Sequence, residues 1–206
     1  MVRRDPDATR QTILEAAAAE IQRHGFRNAS IDQILSETGL TKGALYHHFP
    51  TKADLGYAVV DEVIRSWILS QWVEPMERSN NPIDGLLQAL HDLSPEAVET
   101  VCECGCPLNN LAQEMSSVDE TFRQKLATVY RCVTERMADT LLRGQGAGFV
   151  APDVDCRQAA VFLAATLAGA AGAAKNARDP AILAACRDGL ARYLKSLRAP
   201  VLATVS

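Results

Sequence analysis

Residues 30–52 read SIDQILSETGLTKGALYHHFPTK, and this stretch decides how the N-terminal part of the chain folds. Ser30 followed by Gln33 has the form of a capping box, which satisfies free amides at the start of a helix. Gly39 suits the left-handed conformation that closes a helix, and Pro50 stops a second one. The apolar residues of the first helix recur at helical spacing: Ile31, Ile34 and Leu35. Two short helices joined by a short turn containing glycine form a helix-turn-helix motif.

The second helix of this motif carries the predicted DNA contacts. It begins after Thr41, which can cap it. In a helix-turn-helix protein this helix lies in the DNA major groove, and its N-terminal residues meet base edges. The residues that we predict to bind DNA here are Ser30, Thr41, Lys42, Gly43, Ala44, Tyr46 and His47. An ordinary helical hairpin with a polar face is the alternative interpretation of the same pattern.

Residues 39–55, GLTKGALYHHFPTKADL, resemble the signature of the TetR family of bacterial transcriptional regulators. The resemblance extends over about the first sixty residues of the chain. It implies a three-helix DNA-binding domain, a larger helical domain for ligand binding and dimerisation, and control of transcription by a small molecule. It also implies that Lys52 contacts a DNA phosphate.

Length and composition predict an all-α fold. The chain has 206 residues, enough to bury a large core, and aromatic residues make up only 5% of it while alanine is plentiful. We expect a three-helix helix-turn-helix domain in residues 1–52. A larger helical effector-binding and dimerisation domain should follow in residues 53–206, with about nine helices in the whole chain.

The charge balance does not by itself indicate DNA binding, because the formal net charge is -4. Residues 1–55 contain seven Lys or Arg and seven Asp or Glu, so they form no basic tail. Binding must therefore depend on where individual cations lie. The candidates are Arg3, Arg4, Arg10, Lys42 and Lys52. For each of the three arginines, a solvated charge is the alternative to a phosphate contact.

A helix starting at Thr51 should connect the two domains. Thr51 and Asp54 form a second capping pattern, and apolar residues continue at helical spacing to about Val73, just before Pro75. A helix of about 20 residues spans roughly 30 Å. It is therefore long enough to link the DNA-reading end of the protein to the second domain.

The cysteine run CECGCP, residues 102–107, allows three interpretations. Cys102, Cys104 and Cys106 can be small buried apolar side chains. Alternatively, Cys106 stands just before a helix that begins at Pro107, a position that lowers the pKa of a thiol, and it could act as a redox or electrophile sensor with Cys104 or Cys102 as resolving thiol. The third interpretation is a metal site, but no histidine pair or second CxxC completes a tetrahedral set, so we predict no metal.

The C-terminal part should dimerise and bind an effector. Two apolar helices, at about residues 154–176 and 180–197, could form a symmetric contact between two subunits, or they could be internal core. Aromatic and methionine side chains on the middle helices could line a pocket for an apolar or amphipathic ligand, although a single side chain of this kind belongs more often to the core. These residues are Trp67, Trp72, Met115, Phe122, Tyr130 and Phe162.

No enzyme motif, cofactor motif or secretory signal occurs in the sequence. The least polar run, residues 159–174, is shorter than the roughly 20 apolar residues that span a bilayer. We therefore expect a cytoplasmic, non-enzymatic protein whose cysteines are reduced thiols.

The function that fits these features best is a ligand-responsive repressor that binds a palindromic operator as a homodimer. In this hypothesis the effector tilts the helix after Pro50 and changes the distance between the two recognition helices. The alternatives are a repressor that senses oxidants or electrophiles through Cys106, and a helical ligand-binding or enzymatic protein that retains an unused helix-turn-helix.

Overall fold

A computed structural model describes residues 6–200 of the chain, and these residues fold as helices joined by short turns. The all-α prediction is confirmed. Extended pairing among the described residues is limited to a single β-bridge between Val150 and Arg198. The helices are α1 (Pro6–His24), α2 (Ile31–Thr38), α3 (Lys42–His48), α4 (52–78), α5 (Pro82–His91), α6 (Pro95–Cys104), α7 (Pro107–Met115), α8 (Glu120–Gly146), α9 (Cys156–Ala177) and α10 (Pro180–Ser196).

The chain divides by compactness into two units. Among the described residues, unit 1 contains those up to Trp67 together with Cys104–Val129, and unit 2 contains Ile68–Glu103 and those from Tyr130 onward. Unit 1 therefore holds the helix-turn-helix together with α7 and the first part of α8. The predicted division between residues 52 and 53 stays a prediction.

The core of the helix-turn-helix forms where α1 packs against α2, α3 and the start of α4. The apolar residues of α1 that face this core are buried at the spacing that the 3.6-residue period requires. From the two motif helices, Ile34, Leu45 and Phe49 are buried as well. The buried residues of α1 are Ile13, Leu14, Ala17, Glu20 and Ile21.

The caps of α2 and α3 fix the geometry of the motif. The side chain of Ser30 accepts a hydrogen bond from the backbone N–H of Gln33 at 3.3 Å, and Gly39 closes α2 with φ 64°. Thr41 caps α3 by accepting from the N–H of Ala44 at 3.2 Å. The predicted capping box at Ser30 is only half right, because the N–H of Ser30 donates to a glutamate of α1 instead of to Gln33.

The helix after Pro50 has the predicted start but a different end. The capping box of Thr51 and Asp54 is complete, with both reciprocal hydrogen bonds present. The helix was expected to end before Pro75, yet helical backbone continues to Arg78. A wider turn precedes the proline, and there Glu74 N–H bonds to the carbonyl five residues back. Such a π-turn lets a helix pass a residue that lacks an N–H and would otherwise clash with the preceding turn.

In unit 2 the helices α9 and α10 pack against each other, and α10 also packs against α5. Asp155 caps α9 by accepting from two backbone N–H groups, and Asp179 caps α10. By length and composition α9 could cross a membrane, but core helices of soluble proteins meet the same two criteria.

Candidate DNA-binding site

The recognition helix α3 is anchored by one face and exposed on the other. Leu45 is fully buried and Phe49 nearly so, which holds the helix on the core of unit 1. The residues predicted to read DNA lie mainly on the opposite face, where Tyr46 is 37% exposed. Those in exposed positions are Thr41, Lys42, Gly43, Tyr46 and His47. A hydroxyl, an ammonium, a phenol and an imidazole thus stand at exposed positions of α3 and its N-cap, which suits contact with phosphates and base edges.

Two of the residues predicted to contact DNA, Ser30 and Ala44, take part in the N-terminal caps of α2 and α3. Ser30 is exposed, and its hydroxyl already accepts from Gln33, so its own O–H is left to donate. Ala44 is half-buried, and its N–H is bonded to Thr41. Whether these seven residues of the motif contact DNA stays a prediction.

Lys52 lies in the first turn of α4 and is held by the turn between α1 and α2. Its ammonium donates to the carbonyl of Arg27 at 3.1 Å and lies 5.1 Å from the centre of the Phe26 ring. The ammonium has three N–H donors, so it can keep this bond and still meet a phosphate.

Arg10 forms an ion pair with another side chain of the protein. It forms a two-pronged ion pair with Glu62, at 2.7 and 2.6 Å, and its guanidinium lies 5.2 Å from the centre of the Phe49 ring. The hydrogen bond to Glu62 raises the pKa of Arg10. This pairing favours a structural role for Arg10 over a contact with a DNA phosphate. Arg3 and Arg4 lie outside the described residues.

Sequence reasoning missed Glu20, a buried carboxylate beneath the motif. One of its oxygens accepts from Ser30 N–H at 3.0 Å, and the other makes no hydrogen bond to the described residues. His24 lies 3.7 Å from that second oxygen. The signal was present in the sequence, because Glu20 follows Ala17 and precedes Ile21 on the buried face of α1.

Sequence reasoning also missed Glu114, near the end of α7. Its two carboxylate oxygens accept from the backbone N–H groups of Phe26 and Arg27, each at 2.8 Å. The partners are 88 and 87 residues apart in sequence. No local pattern could have predicted this contact.

The six residues predicted to line an effector pocket divide equally between the two units. Phe122 is fully buried in unit 1, where its ring centre lies 4.6 Å from that of Phe26 and 4.8 Å from that of Tyr57. Met115 is also buried, whereas Trp67 and Phe162 are 38% and 48% exposed. Trp72 and Tyr130 are half-buried. The location of the effector pocket stays a prediction.

Unit 2 contains an open cleft of about 780 Å³, within the usual size range of ligand pockets. It lies between α6 and the turn that joins α9 to α10. None of the six predicted pocket residues lines it. Its lining residues are Leu93, Pro95, Val98, Glu99, Cys102, Glu103, Arg178 and Pro180.

The cysteine turn has the predicted break before a helix that begins at Pro107, but the pKa of its N-cap thiol differs from what the sensor interpretation assumed. Cys106 is the N-cap residue of α7. Its pKa was expected to be lowered by the helix start, but burial raises the pKa of this thiol and outweighs the nearby backbone N–H groups. Burial also raises the pKa of Cys102. All six cysteines are free thiols, Cys104 among them. Within residues 6–200, no group of three or more His, Cys, Asp and Glu side chains is placed to hold a metal ion.

A buried three-helix core with an exposed, capped second motif helix defines a helix-turn-helix protein. Two family models match the chain. Residues 13–59 match the model described as bacterial regulatory proteins of the tetR family, and residues 84–190 match the tetracyclin repressor-like C-terminal domain. The second match alone covers more than half of the chain. The protein belongs to the TetR family of transcriptional regulators, as the sequence predicted.

Individual relatives agree with this assignment. The chain is 29% identical over 133 residues to an uncharacterised helix-turn-helix regulator from the lacX 3′ region of Lactococcus lactis, covering 65% of this chain and 68% of that protein. It is 28% identical over 159 residues to the transcriptional repressor KstR2 of Mycobacterium tuberculosis, covering 72% of each. A TetR regulator from Chloroflexus aurantiacus has the same fold, with a TM-score of 0.79, 24% identity and coverage of 95% of this chain and 98% of that one.

Proposed function

We propose that this regulator is a repressor that binds a palindromic DNA operator as a homodimer and is released by a small apolar or amphipathic effector. The observation that carries the DNA-binding part is the exposed polar face of α3, with Lys42, Tyr46 and His47 directed away from a fully packed core. Two such helices in a symmetric dimer would meet half-sites about 34–36 Å apart, one turn of DNA. Because that spacing is fixed, a small rotation of the subunits would abolish binding.

The proposed dimer surface is the outer face of α9 with α10. Val161 and Phe162 are adjacent on α9 and are 57% and 48% exposed, so together they form an apolar patch on the surface. The ring of Phe162 is supported by Tyr193 of α10, with ring centres 4.5 Å apart. Ala165 and Gly169 are also exposed on α9, so two copies of the helix pair could approach closely. An exposed apolar patch of this kind is typical of a subunit interface.

The cleft in unit 2 is our candidate for the effector site. Its walls are mostly apolar, and they include three charged side chains: Glu99, Glu103 and Arg178. An amphipathic molecule matches that combination, because its apolar body would cover the walls while its polar group meets a charge.

A thiol-based sensor is less well supported. Such a sensor needs a thiolate at neutral pH, and burial raises the pKa of both Cys106 and Cys102. We expect Cys106→Ser to respond to the effector as the wild type does. Loss of the response in this variant would favour the thiol mechanism. The relatives of the chain are named as transcriptional regulators, which supports a non-enzymatic role and a location in the cytoplasm.

The DNA-binding proposal is tested by a gel-shift or anisotropy titration on the protein's own upstream region. We expect sequence-selective, salt-sensitive binding that Lys42→Met and Tyr46→Phe weaken without loss of helix content. Lys195→Met, an exposed lysine of α10, is the control for the change in net charge. If the wild-type protein binds this DNA no better than an unrelated duplex, the target lies elsewhere. Failure to select any sequence from a random DNA pool would then refute the proposal.

The dimer proposal is tested by Val161→Asp. A charge on the proposed interface should convert the dimer to monomer in analytical ultracentrifugation and weaken operator binding, because one half-site then binds alone. Val118→Asp is a matched control, since Val118 is 58% exposed on unit 1. Equal behaviour of the two variants would show that the interface lies on another surface.

A further inference from the structure

The turn that follows α1 is held by a carboxylate from a distant helix. Glu114 of α7 accepts from Phe26 N–H with one oxygen and from Arg27 N–H with the other, both at 2.8 Å. Both oxygens are thus used, and both donors are backbone groups of adjacent residues. Hydrogen bonds to a carboxylate are stronger than those between neutral groups, so two of them hold this turn against α7.

Gly25 makes the close approach of Glu114 possible. Its φ is +78°, a conformation that residues with a side chain rarely adopt. A Cβ atom built at this position would lie 2.8 Å from a carboxylate oxygen of Glu114. The backbone of the turn therefore lies directly against the carboxylate, and the shape of the turn is matched to it.

The other side of the same turn holds Lys52. Arg27 binds Glu114 through its N–H, while its carbonyl accepts from the Lys52 ammonium at 3.1 Å. Phe26, whose N–H binds the other oxygen of Glu114, also places its ring 5.1 Å from that ammonium. Two adjacent residues thus connect Glu114 to the lysine. The connection is positional, because Glu114 fixes the backbone of Arg27 and the Lys52 ammonium binds the carbonyl of that same residue.

We propose that Glu114 is a positioning residue for DNA binding, which acts through the α1–α2 turn to hold Lys52 where it meets a DNA phosphate. This inference rests on the proposed function, because it takes Lys52 as a phosphate contact. Glu114 itself need not touch DNA. Its helix begins at Pro107, directly after the cysteine turn, so the position of α7 becomes a determinant of operator affinity.

The test is a double-mutant cycle on operator affinity. Glu114→Ala should weaken binding about tenfold, and it should reduce the slope of log K against log salt by about 0.9 for each phosphate that the protein no longer neutralises. Lys52→Met should give the same change in slope. If Glu114 acts through Lys52, the variant with both changes should bind no more weakly than Lys52→Met alone.

Two further variants keep the test decisive. Gln113→Ala changes an exposed neighbour on α7 and should leave affinity and slope unchanged. Glu114→Gln retains one acceptor oxygen, so it should weaken binding only about threefold, and it replaces the alanine variant if that one does not fold. All affinities are measured well below the unfolding temperature of each variant.

Wild-type affinity and slope in Glu114→Ala would overturn the inference, while the proposed function would stand. Additive losses in the double variant would also overturn it, since they would show that Glu114 and Lys52 act separately. A wild-type protein that selects no DNA sequence would instead refute the proposed function, and the inference would fall with it.

Discussion

Replacing Gly43 by alanine should separate the stability of the protein from its affinity for DNA. Gly43 is the second residue of α3 and is exposed. A Cβ atom added there would have its nearest neighbour, Thr41 Oγ1, at 4.0 Å, which leaves room for a methyl group. Because alanine loses less backbone entropy than glycine in a helix, the folded state should gain about 0.5 kcal/mol.

DNA binding should change in the opposite direction. If the start of α3 lies in the major groove, the added methyl group occupies space between the helix backbone and the DNA. Overpacking of a fitted contact costs about 1–3 kcal/mol, and 1.4 kcal/mol corresponds to a tenfold change in affinity. We therefore expect Gly43→Ala to bind the operator at least about tenfold more weakly than the wild type.

The assay is fluorescence anisotropy with a labelled operator, paired with urea unfolding of the same samples. Gly146→Ala is the matched control, because Gly146 lies in α8 and a Cβ atom there has no neighbour within 4 Å. It should leave operator affinity unchanged. Wild-type affinity in Gly43→Ala would refute the reasoning, because it would mean that DNA does not approach α3 at this residue.

Two further predictions concern stability. Gly56→Ala should lower the free energy of unfolding by about 1–3 kcal/mol, because the added Cβ would lie 2.5 Å from the ring of Phe26 and 2.7 Å from that of Phe122. Urea titrations measure this change, and an unchanged urea midpoint of unfolding would contradict the packing. Arg136 donates two hydrogen bonds to Glu77, and they lower the pKa of this carboxyl group. The pair should therefore stabilise the fold by roughly 1 kcal/mol above about pH 4.5. This contribution should be lost as the pH falls through the pKa that Glu77 has in the folded state. Arg136→Met should remove this part of the pH dependence, and an identical pH profile in that variant would count against the ion pair.

Local patterns in the sequence predicted most of the helix-turn-helix. The caps at Ser30 and Thr41, the closing residue Gly39 and the capping box at Thr51 all depend on partners within a few residues. Such contacts are encoded in short spacing, and the structure confirms them. The partner of the Ser30 N–H was wrong because a buried carboxylate ten residues upstream, Glu20, competes for it.

Predictions that depended on burial were less secure. The pKa of Cys106 was expected to fall because it stands at a helix start, but the sequence does not show how far packing removes the thiol from water. Pro75 was expected to end a helix, yet the backbone widens by one residue before it and continues. In each case a local rule was overridden by the surroundings of the residue.

The sequence by itself determined the helical fold and the exposed face of α3, because these follow from periodicity and short-range capping, while the resemblance of residues 39–55 indicated the family. Only the tertiary structure decided what holds the turn after α1 and Lys52 beside it. Glu114 meets the turn after α1 across 88 residues of sequence, and Lys52 meets the other side of the same turn. Contacts of this kind leave no periodic signal, since they exist only when the folded chain brings distant helices together.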